Sequence, residues 1–496
     1  MEDDKHMNGT IVCKFGGSSL ADASGFQKAK NILLADEKRR FAVPSAPGRR
    51  FDGDDKVTDL LYRCYQQVEK GEDCAETFAK ITERYLGIAR ELGLTMDVVA
   101  LLEDTRAAIE RVRTPDFAAS RGEYLNGVLL ANYLGWDFID AADVVRFDKQ
   151  GAFAAEWTNR VLTEELKKHE RAVIPGFYGA FPDGSVRTFS RGGSDISGAL
   201  VARAAEAELY ENWTDVSGFL MADPRVVKDP AGIERLTYRE LRELSYMGAT
   251  VLHEDAIFPV HKAGIPTNIR NTNDPDHPGT MIVDKAQDVR YRYPITGIAG
   301  HKNFSLISIE KAMMNAELGF GRRVLQAVEE FGISFEHLPT GIDTMCVVVS
   351  DVELNRYRDK LINRINELCQ PDHIEISSGL ALIATVGQGM VRTRGTAAKL
   401  FSALYQAGVN VRMIDQGSSE LTSSSAWTAR SSRPPCAPST RLLSARRKKT
   451  PDSACCESGA PGTSGSAAFL PRFALDARRA ACYAVNTAFL RGEALS

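Results

Sequence analysis

Residues 11–19, Ile11-Val12-Cys13-Lys14-Phe15-Gly16-Gly17-Ser18-Ser19, decide how the rest of the chain is read. A short apolar strand carries a lysine near its exit, two glycines follow, and two hydroxyls open a helix. Glycines let backbone N–H groups close on phosphate oxygens, a helix N-terminus adds partial positive charge, and the lysine brings a full one. The order is not that of a Walker loop, in which the lysine follows the glycines. A strand–Gly-Gly–helix turn is also ordinary α/β architecture, so this stretch alone leaves phosphate binding and plain chain reversal both open.

Working outward, residues 20–37 continue an amphipathic helix. Residues 40–45 form a strand that ends in Ser45-Ala46-Pro47-Gly48. That is β-α-β, the opening of a parallel sheet. After a loop rich in aspartate and glycine, Thr58 is expected to cap a helix striped by Leu61, Cys64, Tyr65 and Val68. Residues 75–114 are helical in pattern, and Arg121-Gly122-Glu123-Tyr124 starts a helix that runs to Leu134. Short buried strands are expected at 138–141 and 172–176, with a helix at 155–168 between them.

A second glycine turn, Phe189-Ser190-Arg191-Gly192-Gly193-Ser194-Asp195, feeds a helix of small residues over 196–205. Two such turns allow phosphate and substrate to be held between opposing helix N-termini. Taken singly, Asp195 also reads as a first-turn acid complementing the helix dipole, and Arg191 as a surface charge. A strand over 209–216 ends in Trp213-Thr214-Asp215-Val216, and the loop after it holds Ala222-Asp223-Pro224-Arg225. In doubly wound sheets, ligands sit where such loops leave the strand ends. Helices at 237–247 and 254–263 and a strand over 266–269 finish this unit near Val283.

After Gly300 the rhythm changes to β-α-β-β-α-β, with strands at 304–310, 333–339, 345–350 and 373–377 and helices at 321–331 and 352–368. A second unit starts at once: strand 380–386, helix 396–406, strand 409–415. The expected organisation is an N-terminal extension (1–9), a catalytic domain (10–285), a linker (286–300), two small α+β modules (301–378 and 379–421) and a tail (422–496).

The composition, 44% hydrophobic and 25% charged, fits a globular protein, and no run approaches the roughly 18 apolar residues of a membrane span. The acidic start, Met1-Glu2-Asp3-Asp4-Lys5, is unlike a secretory signal. Nine cysteines without paired spacing point to free thiols in a reducing cytoplasm. From Thr422 onward eleven Lys and Arg face four Asp and Glu, which leaves the main body acidic and unlike a nucleic-acid surface. His253, His261 and His301 have no metal-ligand spacing.

At this point the motifs carry a resemblance. Lys14-Phe15-Gly16-Gly17-Ser18, Ser45-Ala46-Pro47-Gly48, Lys56-Val57-Thr58-Asp59, Gly122-Glu123, Ser190-Arg191-Gly192-Gly193-Ser194-Asp195 and Thr214-Asp215-Val216 stand in the order found in aspartate kinases. The chain resembles that family over about 10–421, and the paired modules look like its ACT regulatory domains. Acetylglutamate, glutamate 5- and uridylate kinases share the first glycine turn. The Arg-Gly-Gly-Ser-Asp turn and the ACT pair favour the aspartate enzyme over these, and intact Lys14, Arg191 and Asp195 argue against a catalytically silent amino-acid sensor built around the ACT pair.

The resemblance implies an amino-acid-kinase-like α/β fold, a mainly parallel sheet covered by helices, followed by two ferredoxin-like ACT modules. It implies ATP and Mg²⁺ as cofactors, L-aspartate as substrate, lysine or threonine as feedback effector, and a homodimer or higher oligomer without nucleic-acid or membrane partners. Lys14 and Asp195 would be catalytic. Ser45, Thr58, Glu123, Arg191, Gly192, Gly193 and Ser194 would bind substrate. Lys14, Gly16, Gly17, Ser18, Thr214, Asp215, Leu220, Arg225, Thr250 and Val251 would meet the nucleotide. Leu220 and Thr250 depart from relatives that place a tyrosine and a lysine there.

The second module is expected to close with a buried apolar strand, yet the chain gives Thr422-Ser423-Ser424-Ser425-Ala426-Trp427-Thr428. The remainder is rich in Ser, Ala, Arg and Pro and carries no sustained period. This tail reads as the product of a one-base shift in reading frame. Serine TCN codons shifted by one base become NTC, which encodes only Phe, Leu, Ile or Val. A natural basic tail for an acidic partner is the alternative. A slipped frame would spare every catalytic position and weaken feedback by lysine or threonine.

Overall fold

The computed structural model describes residues 9–190, 192–248, 252, 254–285, 293–417 and 422–428. β1 (Ile11–Phe15), α1 (Ala23–Leu34) and β2 (Arg39–Pro44) form the first β-α-β unit. Four helices follow: α2 (Val57–Glu69), α3 (Ala75–Leu92), α4 (Val98–Val112) and α5 (Pro115–Leu134). Next come β3 (Asp137–Phe138), α6 (Ala141–Val144), α7 (Ala155–Leu166), β4 (Ala172–Val173) and the hairpin β5 (Tyr178–Ala180) with β6 (Val186–Thr188). The domain closes with α8 (Gly193–Ala204), β7 (Leu209–Thr214), β8 (Arg235–Thr237), α9 (Tyr238–Tyr246), α10 (Phe258–Ala263), β9 (Thr267–Asn271) and β10 (Thr280–Val283).

Eight of these strands form one sheet in the order β3-β4-β2-β1-β7-β9-β10-β8. Pairing is parallel from β3 to β9; β10 pairs antiparallel with β9 and parallel with β8, so these last two strands run opposite to the other six. The chain switches sides at β1, where β2 adds on one side and β7 on the other, and such a point opens a crevice at the strand ends. Alternation along β1 serves two cores. Ile11, Cys13 and Phe15 pack toward Phe26, Leu61 and Leu129 of the helices α1, α2 and α5, whereas Val12 packs toward Leu200 of α8 on the other face.

Several local expectations change. Asp22 caps α1 by accepting from Gly25 N at 2.9 Å, so the main helix starts after a separate 3₁₀ turn at Ser18–Leu20. Residues 75–114 are two helices, divided by Gly93 in the left-handed region. Lys56, not Thr58, occupies the cap position of α2 and closes it with no side-chain bond. α5 already begins at Pro115 behind a Thr114 cap, which puts Glu123 well inside a helix.

The regulatory half has β11 (Gly297–Glu310), α11 (Phe320–Glu330), β12 (Phe335–His337), β13 (Thr344–Ser350), α12 (Asp351–Cys369), β14 (His373–Val386), α13 (Thr396–Gln406), β15 (Val411–Gln416) and β16 (Thr422–Thr428). They form one six-stranded sheet, β12-β13-β11-β14-β16-β15. β11 and β14 pair along their length, with irregular register around Phe304. Their outer halves belong to the first module and their inner halves to the second, so the first module is inserted into the second. β11 therefore starts at Gly297, inside the expected linker. Residues 422–428, which sequence reading places in the tail, form the strand between β14 and β15. Residues 429–496 lie outside the described residues.

Ile307, Val324, Val347 and Leu361 give the first module its own core. Leu382, Val386 and Met413 of the second module belong instead to the core that holds Leu241 and Leu244 of α9. At that seam sits Glu240, with no exposed surface. Its Oε2 accepts from Thr237 N and Oγ1, both at 2.8 Å, closing a capping box. Its Oε1 accepts from Thr296 Oγ1 at 2.6 Å and from Gln388 N at 3.0 Å, which binds the catalytic domain to the regulatory sheet. Among the described residues no helix is long and apolar enough to cross a membrane.

Candidate active site

The two glycine turns converge. Lys14 is the fourth residue of β1 and lies in register with Val43 on one side and Asn212 on the other. The alternation that sends Cys13 toward α1 sends Lys14 toward α8. Its Nζ, nearly buried, reaches Asp195 Oδ1 at 2.6 Å. Asn212 completes a triangle: Nδ2 donates to the same Asp195 oxygen at 2.9 Å, and Oδ1 accepts from Lys14 Nζ at 3.4 Å. Two residues earlier on β7, Tyr210 OH donates to the Asp195 carbonyl at 3.2 Å. β7 thus fixes the first turn of α8 by side chain and by backbone.

The loops beyond the strands close on one another through backbone. Gly16 N donates to Trp213 O at 2.9 Å and Gly48 N to Gly17 O at 2.8 Å. A Cβ on Gly17 would lie 2.9 Å from Ala46 O, and one on Gly48 only 2.7 Å from the carbonyl carbon of Gly17. Neither position takes a side chain, which is why glycine stands at both. Thr272 N donates to Thr214 O at 2.8 Å, so the ends of β7 and β9 join the same rim. From the other side Gly176 packs against α8, where a Cβ would lie 2.8 Å from Ser194 Cα. Gly192, with φ 59°, turns the chain into α8 and has no side chain with which to cap its first amides.

Glu123 faces the Ser45–Gly48 turn. It is almost fully buried beside the Ala46 N–H, and its Oε2 has no hydrogen-bond partner among the described residues. Burial pushes its carboxyl up to about 8, against the opposing pull of the Ala46 N–H, Arg121 and Lys14. One helical turn on, Asn126 donates from Nδ2 to Ser45 O at 2.7 Å, while its buried Oδ1 is also without a partner among the described residues. Behind the turn, Arg84 donates to Gly48 O at 3.0 Å and to Asp54 Oδ2 at 2.6 Å. The Arg50 and Arg84 guanidiniums hold the Asp54 carboxyl well below the usual carboxylate range.

The expected residues therefore divide. Lys14, Gly16, Gly17, Ser45, Glu123, Gly193, Ser194 and Asp195 gather around the strand ends, Ser18 is exposed at the turn, and Thr58 is half-buried in the first turn of α2. Thr214 and Asp215 follow at the end of β7, where Thr214 Oγ1 donates to Asp215 Oδ1 at 3.1 Å. Leu220 is exposed, and Arg225 projects from its loop with its guanidinium turned to Asp223 at 2.9 Å. Arg191, Thr250 and Val251 lie outside the described residues. Sequence reading missed Asn212, Tyr210, Asn126 and Arg84. For Asn212 the signal was available, since it is the polar residue of β7 that alternation aims at the lysine. Among the described residues no three His, Cys, Asp or Glu side chains cluster as a metal site.

Residues 9–271 match the Amino acid kinase family, and residues 383–426 match an ACT domain. Aspartokinase 3 of Bacillus subtilis is 39% identical over 429 residues, covering 83% of this chain and 93% of that protein. The crystal structure of Clostridium acetobutylicum aspartate kinase matches with a TM-score of 0.77 at 50% identity, covering 85% of this chain and 96% of that one. Escherichia coli aspartokinase III in complex with aspartate and ADP matches with a TM-score of 0.65 at 25% identity, covering 84% and 96%. The same enzyme in complex with lysine and aspartate gives 0.63 at 25% identity, covering 84% and 95%.

Proposed function

The chain belongs to the aspartate kinases of the amino acid kinase family, and on that premise we propose which of its residues carry the reaction. The reaction moves the γ-phosphoryl group of ATP to the side-chain carboxylate of L-aspartate, the first step toward lysine, threonine and methionine. Its product, 4-phospho-L-aspartate, is an acyl phosphate.

Phosphoryl transfer asks mainly for positioning and for charge neutralisation. Lys14 meets the transferring group, and Gly17 and Ser18 supply backbone donors; the Gly16 N–H, expected to join them, is taken by Trp213 O. The attacking carboxylate is ionised at neutral pH, so no general base is needed. Asp195 therefore orients Lys14 and takes no proton from substrate. Glu123 receives the α-ammonium of aspartate, and Arg191 grips the α-carboxylate with its planar fork. Ser45, Thr58, Gly192, Gly193 and Ser194 complete that pocket. Thr214, Asp215, Leu220, Arg225, Thr250 and Val251 face the nucleotide. A Mg²⁺ arriving on the phosphates would need only one protein carboxylate, which Asp195 would supply while it orients Lys14, and the ion would add neutralisation of phosphate charge.

The observation that carries this reading is the 2.6 Å pair between Lys14 and Asp195, which draws the two glycine turns to one place. The inserted module pair supports regulation by an amino acid, with lysine the leading effector because it is bound to the E. coli relative. A homodimer or higher homo-oligomer is the assembly proposed. The test is aspartate-dependent ADP release, with the acyl phosphate trapped as a hydroxamate, for wild type and Lys14→Ala. Equal rates in the two would remove the mechanism.

A further inference from the structure

We propose that Asn126 is a specificity-determining residue of the substrate pocket, its Oδ1 sharing the α-ammonium of the amino-acid substrate with Glu123, a proposal that rests on the pocket reading above. Asn126 has no exposed surface and stands one helical turn beyond Glu123 on α5, so both side chains leave the same face of that helix. They face consecutive residues of one turn: Asn126 donates to Ser45 O at 2.7 Å, and Glu123 lies beside the Ala46 N–H, which favours its charged form. The amide cannot be turned over, because that would set Oδ1 against the Ser45 carbonyl. Each side chain carries a buried acceptor without a partner among the described residues, Glu123 Oε2 and Asn126 Oδ1.

Buried acceptors left empty are destabilising, and two of them on one helix face call for a donor with several hydrogens. A primary ammonium has three N–H groups and the charge that Glu123 calls for. A substrate carboxylate has none to offer and would be repelled. The pair therefore selects for a free α-amine. A dicarboxylate without one would leave both acceptors unfilled, the situation in which a polar site rejects an analogue most strongly.

The test compares wild type, Asn126→Leu and Asn126→Asp for the KM of L-aspartate and for competitive inhibition by succinate, the same dicarboxylate without the amine. Asn126→Leu is expected to raise the KM for aspartate about tenfold or more, leave that for ATP unchanged, and leave succinate inhibition unchanged. The preference for aspartate over succinate then falls by the same factor. Asn126→Asp keeps an acceptor while giving up the donor to Ser45, and is expected to keep the preference. If Asn126→Leu does not fold, Asn126→Ala takes its place. Equal weakening of aspartate and succinate, or loss of preference in Asn126→Asp as complete as in Asn126→Leu, would mean that Asn126 acts only through the Ser45 turn, and the inference falls. Undiminished aspartate affinity in Glu123→Gln would overturn the pocket reading, and this inference with it.

Discussion

Lys14 Nζ and Asp195 Oδ1 are 2.6 Å apart, and Asn212 Nδ2 donates to the same oxygen at 2.9 Å. Asp195 is thus held by one strand neighbour while it serves the other. Lys14→Ala should cost at least 10²–10³-fold in kcat, the scale of losing one preorganised electrostatic contact. Asp195→Asn keeps the shape but drops the charge, and should lower kcat with little effect on the KM for aspartate. If the two act as one unit, the double variant is scarcely slower than Lys14→Ala. Multiplicative losses in the double variant, measured at saturating ATP and aspartate, would show that they act separately.

Glu123 makes a prediction with a definite sign. Its carboxyl is raised from 4.5 to about 8 by burial, so the folded enzyme keeps a proton that the unfolded chain releases. The stability it contributes is full below pH 4.5 and is lost as the pH rises through about 8, at up to about 1.4 kcal/mol per pH unit. Glu123→Gln should flatten that limb in urea unfolding measured at a series of pH values. Aspartate binding calls for the ionised form, so wild type should release close to one proton on binding at pH 7. Calorimetry in two buffers of different ionisation enthalpy measures that proton. A buffer-independent heat would contradict the assignment.

Both glycine turns, Lys14 and Asp195 were legible because their chemistry is local: strand, small residues, charge, helix. Glu123 was legible only as a residue of a motif. Its helix was expected to begin beside it, whereas the Thr114 cap and Pro115 start the helix earlier and leave the acid buried mid-helix. The insertion of one regulatory module into the other was not legible. A 14-residue strand shared between two modules reads as a linker followed by a strand, since the irregular register near Phe304 interrupts its alternation. Thr422–Thr428 was illegible for a different reason. Backbone pairing on both sides can hold a strand whose side chains argue against one.

Glu240 should matter more to regulation than to chemistry. Removing its carboxylate leaves Thr237, Thr296 and the Gln388 amide without their shared acceptor in a buried seam. Glu240→Ala should cost about 3 kcal/mol or more, the scale of breaking a buried hydrogen-bonded charge. Glu240→Gln, which keeps one acceptor, should cost less. The measurement is urea unfolding followed by tryptophan fluorescence, alongside the lysine response of the aspartate-dependent rate. Turnover that persists in Glu240→Gln while the lysine response weakens is the expected pattern; an unchanged response would remove Glu240 from the coupling.

β16 carries the last prediction. Its backbone bridges β14 and β15, so a chain that stops at Gly417 would leave both with open edges, which invite association. A chain that stops at Thr428 keeps the strand. Ser424 is buried at the place where an apolar side chain would fit a closing strand. Under the shifted-frame reading the ancestral residue there is Phe, Leu, Ile or Val, and Ser424→Val should stabilise the regulatory half by about 1 kcal/mol. Kinase turnover should hardly change, because no proposed catalytic residue lies beyond Val251. The decisive measurement is the gene itself in independent isolates: an unbroken frame encoding the same residues 422–496 in all of them would refute the shift. Loss of stability in Ser424→Val would show that the strand has settled around its hydroxyls.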